Sequence, residues 1–238
     1  MLLESISLFI FGTVFGSFIS ALSWRYPRRI SVNRGRSVCD NCKKKLVWHD
    51  NIPLLSFILL GGKCRLCRKK ISWRYPAIEL ATGIGFTLIG PQILWLAIFC
   101  ILEVIFIIDL EHQIIPDTFV FLGLLIALLL VPKLLSSSLF AGFGASTLLL
   151  LIHLITKGRG MGLGDVKFAV LGGVLVGPRL LLVWLLLAFL TGAATGIILI
   201  LGRKAHLKSQ IAFGPFLVLA IPLALLYGEK ILQWIYLN

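Results

Sequence analysis

Charge is what this chain has least of. Only 14% of its 238 residues are charged, against about 25% in an ordinary soluble domain. Hydrophobic residues make up 58%, more apolar surface than a soluble core of this size hides, so lipid is the solvent expected for most of the chain. No repeat of fixed period stands out, which excludes a solenoid, and no low-complexity tract or soluble linker divides the chain. Residues 1–24 lack a basic leading segment and a small-residue cleavage site, so a retained helix is predicted there and not a cleavable signal peptide. Acids are scarce too, ten against 23 Lys+Arg, for a net charge of +13.

That excess is not spread evenly. Between Arg25 and Arg74 lie fourteen of the basic residues and only two acids, Asp40 and Asp50. The rest of the chain is close to neutral. One basic lobe on an apolar body reads as a cytoplasmic segment under the positive-inside rule, and not as a nucleic-acid surface. Apolar runs predict helices at about 3–24, 76–90, 91–109, 118–131, 139–156, 166–178, 179–202 and 211–236. The breaks hold Gly90-Pro91, Pro132 with Ser136 to Ser138, Gly177-Pro178 and Gly214-Pro215. The fold class is therefore an all-α polytopic membrane protein with about eight spans. Its predicted parts are a first helix (1–24), a basic lobe (25–75) and a helical membrane core (76–238).

With the amino terminus outside, four connections face the cytoplasm: 25–75, 110–117, 157–165 and 203–210. Lys157, Arg159, Arg203, Lys204 and Lys208 fall in them, and Lys133, Arg179 and Lys230 do not. The charge bias agrees with a span count that was reached without it.

Two aspartates stand at the cytoplasmic ends of their helices. Asp109 closes the third helix within Ile108-Asp109-Leu110-Glu111-His112, and Asp165 opens the sixth after Gly160-Met161-Gly162-Leu163-Gly164. A carboxylate at membrane depth costs about 2.5–3.5 kcal/mol on insertion scales, so chains keep one mainly for function. Two such groups brought together hold one proton between them, one acting as base on water and the other polarising a carbonyl. Gly162 and Gly164 let an extended backbone and water approach Asp165. Taken singly, each acid also suits a solvated helix end. Asp117, at the next helix start, fits that bland role best, and Glu111 and His112 read as solvated loop residues. Glu103 sits deeper in the third helix, with no assigned role. His153 reads as a hydrogen-bonded interior histidine.

Four of the five cysteines form Cys39-x₂-Cys42 and Cys64-x₂-Cys67. Each pair offers two thiolates, and four sulfurs complete a tetrahedral zinc or iron site with no open position for chemistry. In a reducing compartment such pairs bind metal and do not bridge. The surrounding Lys and Arg are expected to lower the thiol pKa values. Cys100 reads as a small buried hydrophobe.

Together these segments resemble the bacterial type 4 prepilin leader peptidases. Gly16-Ser17-Phe18 with Arg25, Asn51 to Ser56, Arg74-Tyr75-Pro76 with Glu79, the two aspartate segments and Phe213-Gly214-Pro215-Phe216 carry the likeness in order along nearly the whole chain. Ser20 departs from it, where the family often has Asn. The resemblance implies a Gly-x-Gly-Asp aspartic protease of the bacterial inner membrane, with Asp109 and Asp165 as the catalytic pair. Its substrates would be type IV prepilins or type II secretion pseudopilins, cut after a Gly. It also implies N-methylation of the new amino terminus with S-adenosylmethionine, an activity associated with the zinc lobe, for which Arg25 and Glu79 are candidate residues. The lobe's charge would serve anionic lipid, the carboxylate of S-adenosylmethionine or an acidic residue of the substrate. Two other classes compete: a proton-coupled carrier using Glu103, Asp109 and Asp165, and a membrane-tethered zinc scaffold. Oligomeric state is open.

Overall fold

The computed structural model describes residues 2–31, 37–203 and 211–237. The expected cytoplasmic bases Lys204 and Lys208 lie outside the described residues. Eight α-helices account for most of the rest: α1 (Leu2–Arg25), α2 (Leu55–Leu59), α3 (Arg74–Ile89), α4 (Ile93–His112), α5 (Asp117–Leu130), α6 (Leu135–Ile155), α7 (Leu163–Leu201) and α8 (Gly214–Leu237). No β-strand occurs among the described residues, only two isolated bridges. Five helices, α1, α4, α6, α7 and α8, are long and apolar enough to cross a membrane. α5 is apolar but shorter, at 14 residues, and α3 has 16. Large apolar side chains such as Leu88, Phe140, Leu182 and Ile198 stand exposed along these helices. In water they would be an aggregation liability; in lipid they are the ordinary outer surface.

The helix ends follow local chemistry. Gly90 caps α3 at φ 77°, a left-handed turn that glycine takes without steric cost, and Pro91 then prevents continuation. α4 runs one turn further than its apolar run suggests, so Asp109 lies within its last turn. α6 begins at Leu135, so Ser136 to Ser138 belong to its first turn and do not form a break. α7 begins at Leu163, making Asp165 a first-turn residue.

α7 is 39 residues long and would measure about 58 Å if straight, roughly twice a hydrocarbon core. It is not straight. Gly177 leaves the helical region at φ 72°, and Pro178 follows without an N–H to donate. Gly172 and Trp184 would lie about 18 Å apart along a straight axis, yet the Trp184 ring presses on Gly172. The two arms therefore fold back on each other at the Gly-Pro pair. They correspond to the two helices read separately as 166–178 and 179–202.

The chain forms two compact units, one up to Val104 and one from Ile105. The boundary falls inside α4. In the first unit α1 packs on α3. The contact is close because Gly12 and Gly16 leave room: a Cβ on Gly16 would lie 2.7 Å from the Glu79 Cα. Arg74 ties the start of α3 to the end of α1, donating to the Ser20 carbonyl at 2.9 Å and to the Ser23 hydroxyl at 2.8 Å. In the second unit α7 packs against α5, α6 and α8. Trp184, fully buried, donates its indole N–H to the Leu217 carbonyl at 2.9 Å and so joins α7 to α8.

Candidate active site and metal centre

The second unit gathers the aspartate segments. Asp109 is 4% exposed and Asp165 7%. Though 55 residues separate them in sequence, the two carboxylates interact electrostatically. Asp165 turns back on its own helix start, its Oδ2 accepting the Gly162 N–H at 3.0 Å, the acidic half of a capping box. On the other side, the Gly214 backbone lies against the Asp109 carboxylate, where a Cβ would come within 2.5 Å of Oδ2. Asp109 Oδ2 is enclosed and has no hydrogen-bond partner among the described residues.

Ile115 is wedged between the two segments that carry the glycines. A Cβ on Gly164 would lie 3.0 Å from the Ile115 Cβ, and one on Gly214 would lie 3.0 Å from its Cδ1. The turn after α4, the glycine loop before α7 and the start of α8 thus meet around the two acids. The glycine loop is held from behind. The His153 ring meets the Met161 carbonyl through Nδ1 at 2.7 Å, and the Thr156 hydroxyl accepts the Gly160 N–H at 3.1 Å. His153 is therefore the bonded interior histidine that was expected.

Asp117 opens α5, half exposed, and pairs with Lys167 at 2.7 Å. That matches its expected role at a helix start. His112 does not behave as a solvated loop residue. It ends α4 half-buried, with Nε2 enclosed and lacking a partner among the described residues. The helix overruns its apolar run by one turn, which carries His112 inward. Glu111 is exposed.

The cysteine lobe belongs to the first unit. Its two Cys pairs adopt one backbone pattern. In the first, the Cys39 N–H donates to the Lys44 carbonyl and Lys43 takes φ 56°; in the second, the Cys64 N–H donates to the Lys69 carbonyl and Arg68 takes φ 57°. Each turn is closed by an antiparallel bridge, Val38 with Lys45 and Lys63 with Lys70. The four sulfurs lie within 4.8 Å of one another, and Cys39 Sγ is 3.9 Å from Cys67 Sγ. Zinc–sulfur bonds of about 2.3 Å in a tetrahedron put sulfurs roughly 3.8 Å apart, so the donor set fits a four-thiolate metal.

The expected lowering of the thiol pKa values is not what Cys67 shows before metal binds. The Lys69 backbone bond lowers it, but desolvation and the thiols of Cys64, Cys39 and Cys42 outweigh that bond and carry it to about 11. The surrounding bases are exposed, with Arg65 held by Asp50 at 2.8 Å, and the sulfurs feel one another instead. Cys100 is half-buried in α4.

Arg25 and Glu79, far apart in sequence, line one cavity of about 450 Å³ beneath the lobe. Glu79 is buried, and its Oε2 accepts the Leu54 N–H at 2.8 Å. Leu54 is held at φ 59°, where a branched residue rarely sits. Glu103 accepts the Thr82 hydroxyl at 2.9 Å. Sequence reasoning missed the cavity and the wedge at Ile115, because both are made by side chains brought together only on folding. The approach of Gly214 to Asp109 could have been found, since Phe213 to Phe216 was already singled out.

Two family models match the chain in tandem: the bacterial peptidase A24 N-terminal domain over residues 10–93 and the type IV leader peptidase family over residues 96–197. Relatives that bear the name prepilin leader peptidase/N-methyltransferase include the following three. The Bacillus subtilis protein is 34% identical over 95% of this chain and 96% of its own. The Pseudomonas aeruginosa protein is 32% identical over 93% and 90%, and the Aeromonas salmonicida protein 31% over 95% and 91%. No solved structure matches. The chain belongs to the type IV leader peptidase family and is a multi-pass membrane protein.

Proposed function

We propose that this chain is an inner-membrane prepilin peptidase and N-methyltransferase. It removes the short basic leader of type IV prepilins or type II pseudopilins after a Gly. The observation that carries the reading is the meeting of Asp109 and Asp165 in a water-poor setting, with one carboxylate oxygen left unpartnered. One carboxylate takes a proton from water, and the water oxygen bonds to the carbonyl carbon. The other carboxylate gives a proton to the carbonyl oxygen. The tetrahedral intermediate then breaks its C–N bond as a proton passes to the nitrogen, leaving a leader carboxylate and a new amine. Gly162 and Gly164 serve as the supporting loop beside which the substrate backbone lies.

The amine is then methylated with S-adenosylmethionine. Its lone pair bonds to the methyl carbon as the sulfur–methyl bond breaks, the sulfur leaves as a neutral thioether, and the amine gives a proton to water. Cys39, Cys42, Cys64 and Cys67 hold a structural zinc that supplies folding energy to the lobe. The amino terminus lies outside and the lobe in the cytoplasm, facing anionic lipid. A prepilin leader stays in the cytoplasm while its apolar helix lies in the membrane, so its scissile bond sits at the depth of the α4 and α7 ends.

The test is cleavage of a purified prepilin by the solubilised protein beside Asp109→Ala and Asp165→Ala, with S-adenosylmethionine present and products read by mass spectrometry. Cleavage after Gly is expected from the wild type and from neither variant. Cleavage by either variant refutes the pair and moves attention to Asp117.

A further inference from the structure

The chemistry of the two aspartates leaves His153 unused, yet its ring makes a bond that reaches Asp165. His153 lies half-buried in the last turn of α6, and its Nδ1 meets the Met161 carbonyl at 2.7 Å. A carbonyl only accepts, so the hydrogen of this bond belongs to Nδ1. That carbonyl is one half of a peptide unit whose other half is the Gly162 N–H, and the Gly162 N–H donates to Asp165 Oδ2 at 3.0 Å. A trans peptide unit is planar, with its C=O and N–H pointing in opposite directions. His153, the Met161–Gly162 peptide and Asp165 therefore form a series of two hydrogen bonds across a single rigid plane.

That plane needs holding. Gly160, Gly162 and Gly164 alternate through the loop. A glycine accepts either sign of φ, so the peptide beside it turns over at little steric cost. Turned over, it would withdraw the N–H from Asp165 and set a carbonyl oxygen against the carboxylate, one acceptor facing another. Gly162 stands at φ −79° and ψ 153°, with the N–H kept toward the acid. Met161 is 5% exposed, which leaves water little access to replace the histidine. Hydrogen bonds in series also polarise one another, by about 10–30% per bond, so the bond from His153 strengthens the one that Asp165 receives. We propose that His153 is a positioning residue for Asp165: through the Met161–Gly162 peptide it fixes the orientation and the donor strength of the N–H that holds the carboxylate. The inference rests on the peptidase reading, in which Asp165 is half of the reacting pair, and adds to it a residue from α6, a helix that carries neither acid.

The test uses the full-length protein in nanodiscs, with isotope-labelled nitrogen in histidine and glycine for magnetic resonance. His153→Leu fills similar space without a donor. His153→Asn carries an amide N–H at the same reach from the backbone as Nδ1. In the wild type, the ring-nitrogen signals of His153, assigned by their loss in the variants, are expected to show hydrogen on Nδ1. An Nδ1 without hydrogen overturns the proposal before any variant is assayed. His153→Leu is expected to lower kcat on a prepilin peptide by about 10- to 100-fold with KM little changed, and to move the Gly162 amide signal toward that of a weakly bonded N–H. His153→Asn is expected to restore most of both. Thermal unfolding of the same preparations normalises each rate to folded protein. Wild-type kcat in His153→Leu overturns the proposal, as do equal losses in the two variants with the Gly162 signal unmoved, which would reduce His153 to packing. A wild type that leaves a prepilin uncut refutes the peptidase reading, and the Nδ1 and Gly162 signals then still decide whether His153 acts on Asp165 through the peptide.

Discussion

Gly214→Ala should cripple cleavage without touching either aspartate. The added Cβ would sit 2.5 Å from Asp109 Oδ2 and 3.0 Å from the Ile115 Cδ1. Comfortable contact needs about 3.5 Å, so something must yield by roughly 1 Å. The backbone at Gly214 is fixed by the start of α8 and by Pro215, which leaves the Asp109 carboxylate as the group that moves. A displacement of about 1 Å in a reacting group costs on the order of 100-fold in rate, or about 2.7 kcal/mol in activation free energy. Overpacking would also lower stability by about 1–3 kcal/mol. The assay is kcat and KM on a prepilin peptide, normalised to folded enzyme by thermal unfolding of the same preparation. The loss should fall on kcat. Gly144→Ala is the control, because a Cβ there meets nothing within 4 Å. Ile115→Val in the Gly214→Ala background removes only the Cδ1 contact, so rescue should be partial. Full rescue would mean that the damage ran through Ile115 and not through Asp109. If Gly214→Ala cleaves within about threefold of the wild type, the anchoring of Asp109 by this turn, and the reasoning built on it, is wrong.

Zinc binding should release protons. Cys67 stands at about 11 before metal binds, so it is protonated near neutrality, and coordination requires the thiolate. Metal affinity therefore rises with pH and falls as thiols are protonated. Calorimetry in buffers of different ionisation enthalpy measures the proton count, and a count of zero refutes four-thiolate ligation. Cys64→Ser should lose the metal and make the segment 37–73 more open to proteolysis, and retained stoichiometric zinc would count against the site. Lys167→Ala breaks only a half-exposed pair with Asp117, worth about 0–1 kcal/mol. Its unfolding midpoint should shift little and its cleavage rate should stay within a few fold. A loss as large as that of Asp165→Ala would give Asp117 or Lys167 a role in the chemistry.

What could be read in the sequence was what is carried by periodicity and spacing. The apolar runs located eight helical segments, and Gly177-Pro178 marked the turn between the arms of α7, because lipid leaves the backbone no alternative to helix. The Cys pairs announced their sulfur cluster, since x₂ spacing lets two thiolates face one ion. What escaped depends on where a helix stops and which side chains then meet. One extra turn of α4 turned His112 from a loop residue into a half-buried one with its Nε2 enclosed. Three extra residues at the start of α7 made Asp165 its own capping acid. Apolar composition places a helix boundary only loosely, because it says nothing of the capping bonds that decide the last turn. Both errors fell beside the aspartates, where the chain leaves lipid and polar side chains replace the hydrophobic signal. There the Gly162 bond and the close packing of Gly214 and Ile115 take over, and they set the geometry on which the chemistry depends.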